Sequence, residues 1–149
     1  MMKRIVVAFA LAMALSAASP AFAQVKCTVS GEVVYSGDSN IYVCLLNSTA
    51  FVAFVGRQKE LPPSGFMKIV KADAAGKASF VFREVPKGEY VIIAFADEKN
   101  NGQLDRDTQG WSLEPVCTYK ASENSIWNWS DQKFEVNKDI TGLALKFRD

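Results

Sequence analysis

Residues 89–96 read Glu-Tyr-Val-Ile-Ile-Ala-Phe-Ala, and no other stretch limits so sharply what this chain can become. Successive side chains of a strand point to opposite faces of a sheet, so Tyr90, Val91, Ile92, Ile93 and Phe95 load both faces with apolar groups. Such a strand is stable only where both faces are covered, which predicts a central, buried position. Shorter runs of the same kind surround it. Residues 25–35 bring Cys27, Val29, Val33 and Tyr35 to one face, and the turn residues 36–40 lead into a second run at 41–46. Residues 67–71 resume a strand, residues 77–83 set Phe80 and Phe82 on one side, and residues 133–136 and 142–147 close the series with Leu143, Leu145 and Phe147 aligned.

About seven short strands separated by Gly and Pro turns predict an all-β fold, a sandwich of two packed sheets of the immunoglobulin-like or transthyretin-like kind. Two stretches do not alternate and are expected to be long irregular loops. One is 47–66, which holds Pro62, Pro63 and Gly65; the other is 110–131, which holds Trp111, Trp127 and Trp129.

The start of the chain has a different character. Lys3 and Arg4 precede an apolar stretch over residues 5–18, too short to span a bilayer comfortably, and the small-x-small triplet Ala21, Phe22, Ala23 follows. This is the pattern of a cleavable signal peptide over residues 1–23, with cleavage before Gln24 and a periplasmic or secreted product. Lys26 stands before Cys27 where a lipoprotein signal needs a small residue, so no lipid anchor is expected. Removing 23 of the 149 residues leaves 126, enough for one core over residues 24–149. No second apolar stretch is long enough to span a membrane.

Removal also takes two of 17 basic residues, leaving 15 against 16 acidic ones and a net charge of −1. Such a chain lacks the basic footprint that binding to nucleic acid requires. It has no histidine, and with it go the commonest general base and the commonest transition-metal ligand. Three cysteines, Cys27, Cys44 and Cys117, in an oxidising compartment predict one disulfide and one buried thiol; spacing does not say which two pair.

The segment most suggestive of chemistry is 97–105. Asp97, Asn101, Gln103 and Asp105 stand at the first, fifth, seventh and ninth positions of a calcium loop, with Gly102 at the sixth. Lys99 occupies the third position, where an ammonium offers no lone pair, and Thr108 the twelfth, where a bidentate carboxylate is needed. Composition therefore favours a polar turn held by its own Asn and Asp side chains, with weak calcium binding as the other reading and no other cofactor expected.

Residues 80–105, with Val85, Pro86, Lys87, Gly88, Glu89 and Tyr90 leading into the polar loop, resemble the domain of unknown function 2141 family of small exported bacterial proteins. The similarity continues through Gly110, Glu114 and residues 127–136. It implies a transthyretin-like sandwich and an extracytoplasmic location. Members tend to read Asp-x-Asn-x-Asn-Gly-x-Leu-Asp with a His before the first Asp, whereas this chain has Lys99 and Ala96 at those places.

Trp111, Trp127 and Trp129, with Glu114, form the candidate binding set, either as a platform for a sugar or peptide or as core that caps the sandwich. The triplets at 47–49 and 128–130 match a glycosylation pattern that a bacterial chain does not use. The expected function is a non-enzymatic binding or structural module of the bacterial cell envelope, with a peptide, a glycan or an envelope protein as partner. The alternative is a glycan hydrolase that pairs Glu114 with Asp97 or Asp105.

Overall fold

The computed structural model describes residues 23–120 and 127–147. The expected signal segment, except for Ala23, lies outside the described residues, as do residues 121–126 of the second irregular stretch. Among the described residues eight strands and two short helices follow in the order β1 (Lys26–Val34), β2 (Asn40–Leu46), α1 (Ser48–Val55), β3 (Phe66–Val70), β4 (Lys77–Pro86), β5 (Gly88–Asp97), β6 (Val116–Thr118), α2 (Trp129–Gln132), β7 (Phe134–Val136) and β8 (Ile140–Lys146). They form an all-β sandwich. One sheet has the order β4-β1-β8 and the other the order β3-β2-β5-β6, with β7 added against the start of β5. All pairings are antiparallel except β1 with β8, which run parallel.

Strand β5 sits between β2 and β6, and both its faces are covered as its sequence requires. Tyr90, Ile92, Ala94 and Ala96 point into the core between the sheets, where they join Val29, Val33, Phe80, Phe82 and Leu145. Val91, Ile93 and Phe95 point the other way, under Ala50 and Phe51 of α1. Burying each large aliphatic side chain of this strand contributes about 1.5–3 kcal/mol.

Helix α1 corrects the expectation of an irregular connection over 47–66. Its eight residues are too few to hold a helix in isolation, and no helical period of useful length marks them in the sequence. Packing on the outer face of the second sheet, through Ala50, Phe51 and Ala53, supplies what propensity does not. Asn47 caps the start by accepting the Ala50 N–H at 2.9 Å. At the far end the Arg57 N–H donates to the Phe54 carbonyl and the Gln58 N–H to the Ala53 carbonyl, the pair of bonds that defines a Schellman motif. The left-handed position of that motif usually falls to glycine. Here it falls to Arg57, at φ 61°, while Gly56 stands one residue early.

Two further expectations change. Strand β6 lies inside the stretch read as irregular, because three residues are too few to show alternation. The three cysteines are free and buried, so the disulfide is not there. Cys27 and Cys117 belong to the core between the sheets, whereas Cys44 faces the opposite side of its sheet beneath α1, and burial pushes the Cys44 and Cys117 thiols up to about 12. Among the described residues no helix is long and apolar enough to cross a membrane.

Candidate functional site

The polar loop that leaves β5 is built around two buried carboxylates. Asp97, the last residue of β5, is 2% exposed and accepts the Asn101 N–H on one oxygen (3.0 Å) and the Gly102 N–H on the other (2.7 Å). Glu114, 5% exposed, reaches in from the segment before β6 and accepts the N–H groups of Lys99 (3.1 Å) and Asp105 (3.0 Å). Four backbone donors that have no strand to pair with are thereby satisfied, as a buried loop demands. The remaining oxygens are used locally. Asn101 accepts the Gln103 N–H and donates its side-chain amide to Asp105, and the Lys99 ammonium lies 3.4 Å from the same Asp105 carboxylate.

Asp97, Asn101, Gln103 and Asp105 thus come together as a turn that satisfies itself. The Lys99 ammonium faces the Asp105 carboxylate. Among the described residues no three His, Cys, Asp or Glu side chains gather as a metal cluster.

The chain then folds back on itself over 105–113. The Leu113 N–H donates to the Asp105 carbonyl and the Asp107 N–H to the Trp111 carbonyl, while the Asp107 carboxylate accepts from Gln109 and Trp111. This small hairpin carries Arg106 against the end of α1. Its guanidinium donates to the Val55 and Phe54 carbonyls, both at 2.9 Å, and so caps the helix C-terminus where a positive charge is favoured. It lies 5.0 Å from the Phe54 ring centre and 4.7 Å from that of Trp127. Burial holds its pKa below the ordinary arginine value, and the neighbouring Arg57 charge adds to the effect.

Between the end of α1, residues 57–61, Met67 of β3 and residues 102–106 the surface opens into a cavity of about 570 Å³. Its floor is apolar, made by Cys44, Phe54, Leu61, Phe95 and Leu104, and Arg57, Lys59, Glu60, Asp105 and Arg106 stand around it. Arg57 donates to the Asp107 carbonyl at 2.7 Å. Neither Arg57, Lys59 nor Arg106 has a carboxylate within ion-pair distance among the described residues.

The four residues expected to bind do not gather at this cavity. Trp111 is exposed at 59%, beside Leu113 on the outside of the hairpin. Trp127 and Trp129 are half-buried against Phe54 and Phe51 and cap the outer core, and Trp129 also lines a second opening with Asn47, Ser64 and Lys87. Glu114 serves the loop backbone. What the sequence did not signal is the group formed by Arg57, Lys59 and Arg106. Arg57 falls in a stretch read as irregular and Arg106 just past the polar turn read over 97–105, and only the fold brings them together.

The family model described as an uncharacterized protein conserved in bacteria, DUF2141, matches residues 29–142. No curated protein matches the chain.

Proposed function

Because the chain belongs to the DUF2141 family of bacterial proteins, we propose, from the signal-like start of its sequence and the geometry of its site, that it is an exported, non-enzymatic binding module of the cell envelope. The working end on this reading is the cavity between α1 and the 102–106 segment, and not the tryptophan-bearing stretch. The observation that carries it is the pairing of an apolar floor with uncompensated cations on a rigid sandwich, the usual build of a recognition site. The carboxylates speak for binding over hydrolysis. A catalytic pair needs oxygens free to face a substrate, whereas both oxygens of Asp97 and both of Glu114 accept backbone N–H groups.

Two measurements test the reading. Intact mass of the protein recovered from the envelope fraction should correspond to a chain beginning at Gln24; a retained Met1 defeats export. Native mass spectrometry against a panel of envelope-derived peptides, glycans and small organic acids should find a ligand that is bound and released unchanged. A ligand recovered as a cleaved product would make the protein an enzyme.

A further inference from the structure

The cavity carries a charge pattern that selects one chemistry of ligand. Arg57 and Arg106 are close enough to repel each other, and neither is neutralised by a carboxylate within ion-pair distance among the described residues. Of the two acidic groups on the rim, Asp105 is already engaged by Lys99 and Asn101, which leaves Glu60 to face Arg57, Lys59 and Arg106. Arg106 is fixed by two helix carbonyls and two aromatic rings, so it supplies a stationary positive charge. Arg57 is tied by a single bond from one terminal nitrogen to a backbone carbonyl, and the rest of its donor fork can turn to an incoming anion.

A second observation points to the same residue. Arg57 holds the left-handed position of the α1 C-cap, a conformation that glycine adopts more readily than any residue with a β-carbon. Strained positions of this kind cluster at functional sites.

We propose that the cavity binds a free organic monocarboxylate with an unbranched or lightly branched apolar tail. Arg57 and Lys59 take the carboxylate at the rim, Arg106 adds the field of its fixed charge, and the tail lies on Phe54, Leu61, Phe95 and Leu104. A planar carboxylate suits the guanidinium fork better than a spherical anion, and the size of the opening falls in the range of small-molecule sites. This inference rests on the binding-module reading and names its ligand class.

The test uses the mature chain and four probes: decanoate, decylamine, decanol and acetate. Thermal shift and isothermal titration should show saturable binding of decanoate, with acetate lacking the tail, decylamine carrying the opposite charge and decanol carrying none all at least tenfold weaker. Arg57→Gly should weaken decanoate at least tenfold while the free variant melts no lower than wild type, because glycine relaxes the left-handed turn; a loss of binding then cannot be blamed on misfolding. Equal binding of decylamine or decanol, undiminished binding by Arg57→Gly, or no binding of decanoate would each overturn the carboxylate assignment. A peptide or glycan bound in the cavity while decanoate is inert would overturn this inference and leave the module reading standing. Decanoate bound and recovered chemically altered would do the reverse.

Discussion

Replacing Glu114 by glutamine separates a residue that holds the loop from one that waits for a ligand. The carboxylate is buried and accepts the N–H groups of Lys99 and Asp105 at 3.1 and 3.0 Å, one on each oxygen. Glutamine has the same shape but only one acceptor oxygen, and its amide nitrogen would confront the second N–H as donor against donor. A hydrogen bond to a charged group contributes about 1.5–3 kcal/mol, and a buried donor left without a partner costs about 1–3 kcal/mol. Taking the two as overlapping descriptions of one loss, and allowing for the weakening of the bond that remains, Glu114→Gln should destabilise the fold by about 2–4 kcal/mol. That is a large part of the roughly 5–15 kcal/mol that typically separates folded from unfolded chains. At about 4 °C for each kcal/mol, the melting temperature should fall by about 8–16 °C. Circular dichroism melts and urea titration of Glu114→Gln should be compared with Glu135→Gln, which alters an exposed side chain of β7. If Glu114→Gln melts within about 2 °C of that control, the two N–H bonds do not hold the loop and Glu114 returns as a candidate ligand contact.

Ile92→Asp should abolish cooperative unfolding, since it puts an unpaired charge at a fully buried position of β5 at a cost of several kcal/mol; a soluble variant with a sharp melt would contradict the central place of that strand. Stability should be intact up to about pH 9 and then fall as pH rises toward 12. The buried Cys44 and Cys117 thiols ionise only near 12 when folded and near 9 when exposed, so alkali favours the unfolded chain by up to about 1.4 kcal/mol per pH unit for each thiol. Equal urea midpoints at pH 8 and pH 10 would refute this. Lys99→Asn removes the ammonium that lies 3.4 Å from Asp105 and adds an oxygen, so the variant and not the wild type should gain melting temperature in about 1 mM calcium; identical behaviour of the two proteins would show that the loop is a turn and nothing more.

What could be read in advance was whatever depends on period. The doubly apolar run at 89–96 announced a central strand because alternation and burial are local properties of a pleated chain, and the aligned Phe80 and Phe82 announced a strand with one face inward. Features that arise only from contact escaped. Helix α1 owes its existence to the sheet beneath it, and its one local sign, the cap at Asn47, also matched a glycosylation triplet. The odd cysteine count suggested a bridge, but counting cannot tell that Cys44 faces away from the core that holds Cys27 and Cys117. Glu114 stood out as an acid among tryptophans. Its partners lie 15 and 9 residues away on a loop whose path the sequence does not reveal. Arg57 and Arg106 are farther apart still, and no spacing rule would join them.

The parallel seam between β1 and β8 has a consequence for the order in which this molecule can be made. Strand β1 pairs its residues 29–34 with 140–146, so the strand nearest the start of the chain waits for the one nearest its end. The approach is close: a β-carbon at Gly31 would collide with the Leu143 backbone, and the Thr28 N–H is taken by the Asp139 carboxylate at 2.8 Å. Until β8 has emerged from the ribosome, Val29 and Val33 lack the neighbours Leu143 and Leu145 that complete their core. A nascent chain is therefore held short of its native state until β8 has been made, and the long-range pairing of β1 with β8 is of the kind that slows folding.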